Sequence, residues 1–379
     1  MIKDIIKHTK AYYCLDCGKC TSVCPVAAFN DNFSPRKIVA EAITWGDSKV
    51  LDDGRIWSCL TCKMCHERCP SDVNFIQFIR DIRVDARQNG KEGICTHGGA
   101  LQSLMKIMTA PNINQNRLKW ITPDLKTSQK SEYLYFVGCL PYFDLYFSDL
   151  KANSLDIARS TLKILNSLGI EPQVLPNERC CGHDLLWSGD IKNFKMLAEQ
   201  NVAEFKKSGA KKIVLSCPEG LSCFKQDYPN HLDKFDFEVI HIYDLIAEKL
   251  SSNNLKLKPV KEKVTYQDPC RLGRFMGDYD NPRQIISSIP EMEFTEMRRS
   301  GKNAVCCGTS SWMNCDQYSK KIQMDRLKEA KSTGADVLIT SCPKCQIHFL
   351  CAQSEENYPE EMKLKIIDLT TMLASALGG

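Results

Sequence analysis

Apolar residues keep a helical spacing in the N-terminal part of the chain and change to alternating strand and helix patterns further on. Ser34 and Pro35 open a segment with apolar residues at helical spacing, and serine before proline is a common start of a helix. Apolar residues recur every three positions across Val73–Ile82, and Leu101–Met108 has a similar character. Because strand signals are weak in residues 1–90, this part is predicted to be helical.

From Ser131 onward, short apolar runs alternate with amphipathic stretches. The predicted strands are Tyr133–Val137, Gln173–Leu175, Lys212–Leu215, Val264–Tyr266 and Phe294–Met297. The predicted helices are Ser154–Gly169, Phe194–Ser208, Ile242–Leu250 and Gln317–Ser332. Strands that alternate with helices in this way are typical of α/β units with mainly parallel sheets.

The second half of the chain repeats the pattern of the part before it. The related pairs are Cys139/Cys270, Cys180/Cys306, Cys217/Cys342 and Asp244/Asp368, with offsets of 131, 126, 125 and 124 residues. A slowly drifting offset indicates an internal duplication. We therefore predict an α+β multidomain protein. Its parts are a helical domain over 1–95, a helical linker over 96–131, a first α/β copy over 132–251 and a second over 263–379.

Composition narrows the class of protein. The 379 residues are 43% hydrophobic and 25% charged, and the net charge of +4 is too small to suggest nucleic-acid binding. There is no run of eighteen apolar residues, and Met1–Lys10 lacks the apolar core of a signal peptide. We expect a cytoplasmic protein, with any membrane association supplied by a partner. In that compartment 21 cysteines indicate metal binding rather than disulfides, and they suggest an anaerobic host.

Two cysteine motifs in the first seventy residues share one spacing. They read Cys14-x2-Cys17-x2-Cys20-x3-Cys24-Pro and Cys59-x2-Cys62-x2-Cys65-x3-Cys69-Pro, which is the bacterial pattern for a [4Fe–4S] cubane. The fourth cysteine of such a motif usually ligates the other cluster. The predicted ligands are therefore Cys14, Cys17, Cys20 and Cys69 for one cubane, and Cys59, Cys62, Cys65 and Cys24 for the other. Structural zinc also uses C-x2-C pairs, but it explains neither the third cysteine nor the Cys-Pro ending.

The repeated part carries a cysteine pattern of its own. Each copy has a cysteine after the first strand, then a Cys-Cys-Gly, then a Cys-Pro. This resembles the cysteine-rich "CCG" domain found in the catalytic subunit of heterodisulfide reductase. The same domain occurs in iron–sulfur subunits of glycolate and lactate oxidation systems and in an electron-transfer subunit of class II benzoyl-CoA reductase. Two copies behind a two-cubane ferredoxin domain resemble the D-type subunit of heterodisulfide reductase across nearly the whole chain.

The resemblance implies that each complete copy holds a non-cubane [4Fe–4S] cluster through five cysteines. The second copy has all five, namely Cys270, Cys306, Cys307, Cys342 and Cys345. The first copy has Cys139, Cys180, Cys181 and Cys217, with Gly220 where the fifth is expected and Cys223 three residues later. Cys223 substitutes, or the first copy holds a four-cysteine cluster, or this site is empty. The implied cofactors are two cubanes and one or two non-cubane clusters.

Several other residues are candidates for substrate contact. Arg271 and Arg274 follow Cys270 and are suited to clamp an anion, although a surface salt bridge fits them equally well. His183 follows the first Cys-Cys-Gly and is a candidate proton donor or ligand, with a supporting hydrogen-bond role as the simpler alternative. Outside the motifs, three cysteines are expected to be buried packing residues: Cys95, Cys315 and Cys351.

The leading hypothesis is an iron–sulfur oxidoreductase subunit that passes electrons through two cubanes to CCG-bound clusters, as in heterodisulfide reductase. The alternative is a pure electron-transfer subunit of a flavin-dependent hydroxy-acid dehydrogenase or an acyl- or aryl-CoA reductase. A third hypothesis is a redox- or metal-sensing scaffold built on zinc. The sequence has no flavin or nucleotide fingerprint, so electrons are expected from another chain of a hetero-oligomer. That partner would be a flavoprotein, a hydrogenase or formate dehydrogenase type of protein, or a flavin-containing reductase subunit.

Overall fold

A computed structural model describes residues 2–252 and 255–378 and divides the chain into two compact units. The first unit comprises Met1–Ile107, Gly182–Phe194 and Val305–Asp325, and the second comprises Met108–Cys181, Lys195–Ala304 and Arg326–Gly379. One of the short stretches in the first unit starts at the glycine of the first Cys-Cys-Gly, and the other contains the second Cys-Cys-Gly. The sequence predicts that both stretches belong to the α/β copies. In the structure, both stretches belong to the first unit.

The first unit is built from helices, as the sequence predicts. Its helices are Ile2–His8, Lys19–Ser22, Pro35–Trp45, Asp47–Val50, Arg55–Ser58, Met64–Glu67, Phe75–Gln88, Ala100–Ile107 and His183–Trp187, with 3-10 turns at Ala11–Tyr13 and Thr96–Gly99. The Ser34 hydroxyl accepts a hydrogen bond from the Lys37 amide at 3.3 Å, which is the cap that the sequence indicates. The described part of this unit contains no strand.

Helix Phe75–Gln88 supplies the main core of the first unit. Asn74 caps it by accepting a hydrogen bond from the Gln77 amide at 3.2 Å. Its apolar face, which includes Ile79 and Ile82, is fully buried. The predicted linker contributes the helix Ala100–Ile107 to this unit and has no further helix from 108 to 131.

The second unit contains two parallel sheets. Their strands are β1 (Tyr133–Phe136), β2 (Lys212–Leu215), β3 (Glu238–His241), β4 (Lys263–Gln267), β5 (Glu293–Phe294), β6 (Val337–Thr340) and β7 (Lys365–Asp368). The order is β1-β2-β3 in one sheet and β5-β4-β6-β7 in the other. Gln173 also forms a parallel bridge with Leu134, at the edge of β1 where β5 lies in the second copy. The two copies therefore share one topology, and the predicted duplication with parallel sheets is confirmed.

Helices of the two copies pack reciprocally within the second unit. Besides short turns, its helices are Leu140–Tyr146, Ser154–Ser167, Pro218–Ser222, Tyr228–His231, Ile242–Ser251, Asp280–Ser288, Pro343–Gln353 and Leu369–Ala376; Ile191–Ser208 and Gln317–Lys331 begin in the first unit and end here. Ser154–Ser167 of the first copy packs on Leu369–Ala376 of the second. Asp280–Ser288 of the second copy packs likewise on Ile242–Ser251 of the first. This exchange is the arrangement that an approximate two-fold axis between the copies produces.

Some local predictions were wrong. The expected strand Gln173–Leu175 is reduced to a single bridge, and strand β3 was not predicted, since its four residues run straight into a helix. Two π-helical turns, Cys223–Asp227 and Arg271–Phe275, were also not predicted. Across the described ranges, none of the helices has the length and apolarity needed to cross a bilayer.

A buried carboxyl in the second copy makes the stability of the fold depend on pH. Asp368 is fully buried, and its Oδ1 accepts hydrogen bonds from the Thr370 amide at 2.8 Å and the Thr370 hydroxyl at 2.6 Å. Burial raises the pKa of Asp368 to about 7. The folded state therefore binds this proton more tightly than the unfolded state, so the free energy of unfolding falls as the pH rises from about 4 to 7, by at most about 1.4 kcal/mol per unit.

The Asp368→Asn variant is expected to show a flatter pH dependence because its amide keeps the capping oxygen and has no proton to lose. Urea unfolding under anaerobic conditions at pH 5.5, 6.5 and 7.5 measures this slope. Asp244→Asn is the control, because Asp244 is an exposed carboxyl in the first turn of the matching helix Ile242–Ser251. The structural counterpart of Asp368 at the start of that helix is His241, not Asp244 as the sequence offset predicts. Equal slopes in wild type and Asp368→Asn would contradict the assignment.

Candidate metal centres

The first four predicted cubane ligands line one cavity of the N-terminal unit. Those residues are Cys14, Cys17, Cys20 and Cys69. Pro35, Val39 and Phe75 supply part of its apolar wall, and Cys65 reaches its inner edge. Cys17 is exposed, so this cavity opens to the surface of the unit.

The other four predicted ligands line a second, more deeply buried cavity. Those residues are Cys24, Cys59, Cys62 and Cys65. Three of the four belong to one motif, and Cys24 comes from the other, as the exchange of fourth cysteines requires. Pro35 and Phe75 line both cavities, so these two side chains lie between them.

The backbone of each motif turns so that its cysteines face one cavity. Asp16 and Gly18 have positive φ angles of 52° and 77° in the first motif, and Thr61 and Lys63 have 46° and 67° at the same positions of the second. Left-handed residues in both two-residue spacers curl the chain tightly. Amide groups also point at the sulfurs, with Thr61 N 3.4 Å from Cys59 Sγ and Val73 N 3.3 Å from Cys69 Sγ. Amide donors of this kind stabilise a thiolate.

Burial and neighbouring thiols act together on the cysteines of the inner cavity. Burial, with Cys62 and Cys59 nearby, raises the pKa of Cys24. Burial likewise raises the pKa of Cys65, followed by the effects of Cys59, Cys62 and Cys24. Thiols held this close in a dry cavity stay protonated until a metal takes the place of the protons.

Arg83 is fully buried and is hydrogen-bonded to the backbone of the second cysteine motif, which lines the inner cavity. Arg83 donates to the carbonyl oxygens of Ile56 at 2.8 Å, Cys59 at 2.7 Å and Trp187 at 2.9 Å, and also to Trp57. Its guanidinium therefore lies directly behind the backbone of Cys59. The contact to Trp187 also fixes the Gly182–Phe194 stretch, which follows the first Cys-Cys-Gly.

The stretch that carries the second Cys-Cys-Gly is joined to the same motif. The buried hydroxyls of Thr61 and Ser310 lie 2.8 Å apart. Asn314 donates to the carbonyl oxygens of Trp57 and Ser58, each at 3.3 Å. The ligand loop around Cys59 and Cys62 is thus hydrogen-bonded to the segment that begins just after Cys306 and Cys307.

Four of the remaining predicted ligands follow the carboxyl ends of strands, as expected for a ligand site of an open α/β sheet. Cys139, Cys217, Cys270 and Cys342 each stand at the N-cap position of the helical turn after β1, β2, β4 and β6. Within the second copy, Cys270, Cys342 and Cys345 belong to the second unit, while Cys306 and Cys307 belong to the first.

Four thiols of the first copy form a continuous chain of contacts within the second unit. Cys139 Sγ lies 3.4 Å from Cys180 Sγ. The thiol of Cys181 is within hydrogen-bond reach of those of Cys180 and Cys223, and these neighbours together with burial raise the pKa of Cys181. Burial raises the pKa of Cys217, followed by the charge of Cys342 of the second copy.

Arg117 and Arg179 fix the segments directly before Cys139 and Cys180. Arg117 donates to the Glu178 carbonyl at 2.7 Å and pairs with the Glu178 carboxylate at 3.0 Å. Glu178 accepts from the Gly138 amide at 2.8 Å, and burial raises its pKa to about 7. Arg179 donates to the Ile113 carbonyl at 3.1 Å, and its other terminal nitrogen, Nη1, is buried without a hydrogen-bond partner.

The donor groups at all three of these places suit iron–sulfur clusters. Each cubane cavity offers four cysteine sulfurs and at least one amide aimed at sulfur, and the first copy offers four thiols in a chain of contacts. Thiolates are the preferred ligands of iron–sulfur clusters, and hydrogen bonds to sulfur tune them.

The candidate substrate contacts are buried rather than exposed. Arg271 stacks on Phe275 with its guanidinium 4.0 Å from the ring centre, and Arg274 donates to the Ala304 carbonyl at 2.7 Å. His183 Nδ1 lies 3.0 Å from an Asp184 carboxylate oxygen. Burial makes the surface salt-bridge interpretation of both arginines wrong, while their contact with substrate stays a prediction.

The cysteines outside the motifs are more accessible than expected. Cys315 is exposed, and Cys95 and Cys351 are half-buried, so the prediction that all three are buried packing residues was wrong. Cys95 and Cys315 line one open cleft of about 910 Å³ in the first unit, together with Trp57. The positions of these cysteines in the sequence do not indicate that their side chains are accessible.

Comparison with known families agrees with this architecture. Residues 10–73 match the 4Fe-4S dicluster domain, and residues 133–225 and 264–350 each match the Cysteine-rich domain. A hypothetical protein from Helicobacter pylori has a related fold, with a TM-score of 0.59 at 12% identity over all of this chain and 77% of that one. The fold and the cysteine sites define an iron–sulfur electron-transfer oxidoreductase.

Similarity to curated proteins identifies the family within that class. The D-type subunit of the dihydromethanophenazine:CoB–CoM heterodisulfide reductase of Methanosarcina barkeri is 30% identical over 96% of this chain and 93% of its own length. The chain belongs to the family of this heterodisulfide reductase subunit. A subunit of the CoM/CoB fumarate reductase of Methanothermobacter marburgensis is 26% identical over 96% of this chain and 72% of its own length. A "Probable iron-sulfur-binding oxidoreductase" of Bacillus subtilis is 26% identical over 97% and 60%.

Proposed function

We propose that this protein is the subunit of a cytoplasmic oxidoreductase complex that carries electrons through two cubanes to the clusters of its cysteine-rich copies, and that it reduces a disulfide there. The clusters, when bound, supply one-electron transfer. The chain supplies their ligands and buries the cysteines Cys59, Cys62 and Cys65 of the inner cubane. Support at the level of the family comes from the relatives that are heterodisulfide reductase subunits.

The observation that carries the proposal is the gradient of exposure in the N-terminal unit. The cavity of Cys14, Cys17 and Cys20 opens to the surface, whereas Cys59, Cys62 and Cys65 are all buried. The inner motif is then hydrogen-bonded through Thr61 to Ser310, three residues after Cys307. This order suits transfer from an external redox partner at the outer cubane to the inner cubane, next to the segment that follows Cys307.

The proposed ligand sets follow the sequence prediction. The cubanes take Cys14, Cys17, Cys20 and Cys69, and Cys59, Cys62, Cys65 and Cys24. The complete second copy takes Cys270, Cys306, Cys307, Cys342 and Cys345. The electron donor is another chain of a hetero-oligomer, a flavoprotein or a hydrogenase-type protein.

A Cys345→Ser variant tests the cluster of the second copy. It is expected to lose up to about four irons per chain and the non-cubane EPR signal, because a five-thiolate site loses one ligand. Both cubane signals should persist. Cys351→Ser, six residues further along the same helix Pro343–Gln353, is the matched control and should keep all signals. An unchanged non-cubane spectrum in Cys345→Ser would contradict the assignment.

Addition of substrate-like thiol separates disulfide reduction from pure electron transfer. Protein oxidised in the presence of a small thiol is expected to give a new paramagnetic EPR species if a sulfur substrate binds at the cysteine-rich cluster. An identical spectrum with and without thiol would favour the pure electron-transfer subunit. Abundant zinc without acid-labile sulfide would point to the zinc scaffold instead.

A further inference from the structure

The first cysteine-rich copy differs from the second at one packed position. Gly220 stands where the second copy has Cys345, and a Cβ at Gly220 would lie only 2.9 Å from Leu215 Cδ2. The second copy has the smaller Thr340 at the position of Leu215. A fifth cysteine at position 220 would therefore press against the strand that precedes it.

The first copy brings in a different thiol one turn later. Helix Pro218–Ser222 passes into a π-helical turn over Cys223–Asp227, whereas the matching helix Pro343–Gln353 of the second copy is continuous. A π turn adds a residue to one turn and re-aims the side chains, and such turns are frequent at functional sites. Here the turn begins at Cys223, whose side chain is fully buried.

Cys223 reaches the other thiols of this copy. Its Sγ lies 3.4 Å from the Cys181 carbonyl oxygen, and it is in hydrogen-bond contact with the Cys181 thiol. Cys181 in turn contacts Cys180, and Cys180 contacts Cys139. These are the four thiols of the contact chain described above.

Cys217 has different neighbours. Burial raises the pKa of Cys217, followed by the charges of Cys342 and Glu219. Glu219 forms an ion pair of 2.7 Å with Lys344, which occupies the equivalent position of the second copy. Cys217 therefore lies at the place where the two copies meet, beside its own counterpart Cys342.

Polar groups fix the segment that carries Cys180 and Cys181. Arg179, directly before Cys180, donates to the Ile113 carbonyl at 3.1 Å. Asn201 fixes the adjoining loop by accepting from the Arg179 amide at 2.7 Å and donating to the Cys180 carbonyl at 3.0 Å. Tyr228 donates to the Cys181 carbonyl at 3.1 Å. These contacts hold the backbone of Cys180 and Cys181 in place beside Cys223.

We propose that the first copy binds an iron–sulfur cluster through Cys139, Cys180, Cys181 and Cys223, and that Cys217 is not one of its ligands. The π turn at Cys223 brings a thiol to this copy in place of the cysteine that position 220 lacks. This inference rests on the proposed function in one respect only, that the cysteine-rich copies hold clusters.

The test compares Cys223→Ala with Cys217→Ala in the anaerobically purified full chain. Iron and acid-labile sulfide are counted, and Mössbauer spectra are recorded. Cys223→Ala is expected to lose about four irons and the matching sulfide relative to wild type, while Cys217→Ala keeps the wild-type content. Both variants remove one thiol from the same segment, so they are closely matched.

Folding is checked independently of the first copy. Retained cubane EPR signals and an unchanged far-UV circular dichroism spectrum show that a variant has folded. Should Cys223→Ala fail this check, Cys223→Ser serves in its place, because serine keeps the size of the side chain.

Three outcomes would overturn the proposal. Loss of iron in Cys217→Ala, alone or together with Cys223→Ala, would make Cys217 a ligand. Full iron content in folded Cys223→Ala would remove Cys223 from the set. Zinc without sulfide at this site in wild type would replace the cluster with a single ion. None of these results alters the cubane spectra or the thiol-induced signal that test the proposed function, so the two can fail separately.

Discussion

The Cys24→Ala variant is expected to lose the same cubane as a Cys62→Ala variant, although Cys24 belongs to the other sequence motif. The structure places Cys24 in the cavity with Cys59, Cys62 and Cys65, and loss of any ligand there should release or degrade a cluster of about four irons. By the same reasoning Cys69→Ala should match Cys17→Ala. The four variants therefore form two pairs, Cys24→Ala with Cys62→Ala and Cys69→Ala with Cys17→Ala. Each pair combines one cysteine from each sequence motif.

Potentiometric EPR titration of the remaining cubane in each variant makes the comparison direct. The residual spectra and midpoint potentials should agree within each pair and differ between pairs, since the outer cavity is exposed and the inner one is buried. No prior assignment of signals to cavities is needed. If Cys24→Ala instead gave the residual spectrum of Cys17→Ala, each motif would hold its own cluster and the exchange would be wrong.

The second large effect is expected at Arg83. An Arg83→Met variant removes a buried charged donor from carbonyl oxygens that include those of Ile56, Cys59 and Trp187. Unsatisfied buried carbonyls cost about 1–3 kcal/mol each, so the free energy of unfolding should fall by at least ~3 kcal/mol. The lost positive charge should also make the inner cubane harder to reduce. For two unit charges roughly 10 Å apart at an effective dielectric constant near 20, Coulomb's law gives about 1.7 kcal/mol, or ~70 mV for one electron, and this sets the scale of the expected shift.

Two companion variants separate charge from packing. Arg83→Lys keeps the charge but cannot reach all the carbonyl oxygens, so it should lose stability with a smaller change of midpoint potential. Arg87→Met removes the same charge one helical turn away, where Arg87 pairs with Glu92 at 2.8 Å and Asp190 at 3.4 Å. It should leave the inner potential near that of wild type. A normal potential in a folded Arg83→Met protein would rule out the electrostatic role.

The features that could be predicted from sequence are those set by neighbours along the chain. The loop that carries Cys59 and Cys62 could be predicted, because the spacing of the cysteines and the cluster chemistry that requires it both lie within a few residues of sequence. The cap at Ser34 and the parallel strands were likewise encoded in short patterns. The duplication was readable because the cysteines mark equivalent positions with little drift, and the matching sheet orders agree with it.

The features that could not be predicted depend on residues far apart in sequence. Nothing in the periodicity near Ser310 indicates its hydrogen bond to Thr61, 249 positions away. Arg83 reads as one more charged position on an amphipathic helix, and only tertiary packing shows that it is fully buried. The π turn at Cys223 is equally hidden, because the sequence there is compatible with an ordinary helix.

The reciprocal exchange of helices between the two copies has a consequence for the origin of the protein. Ser154–Ser167 rests on Leu369–Ala376, and Asp280–Ser288 rests in the same manner on Ile242–Ser251. Such mutual packing is that of an isologous homodimer, in which each protomer covers the same patch on its twin. A single-copy ancestor would have paired with itself through these faces, and gene fusion then freed its halves to diverge, as the Gly220 and Cys345 positions have done.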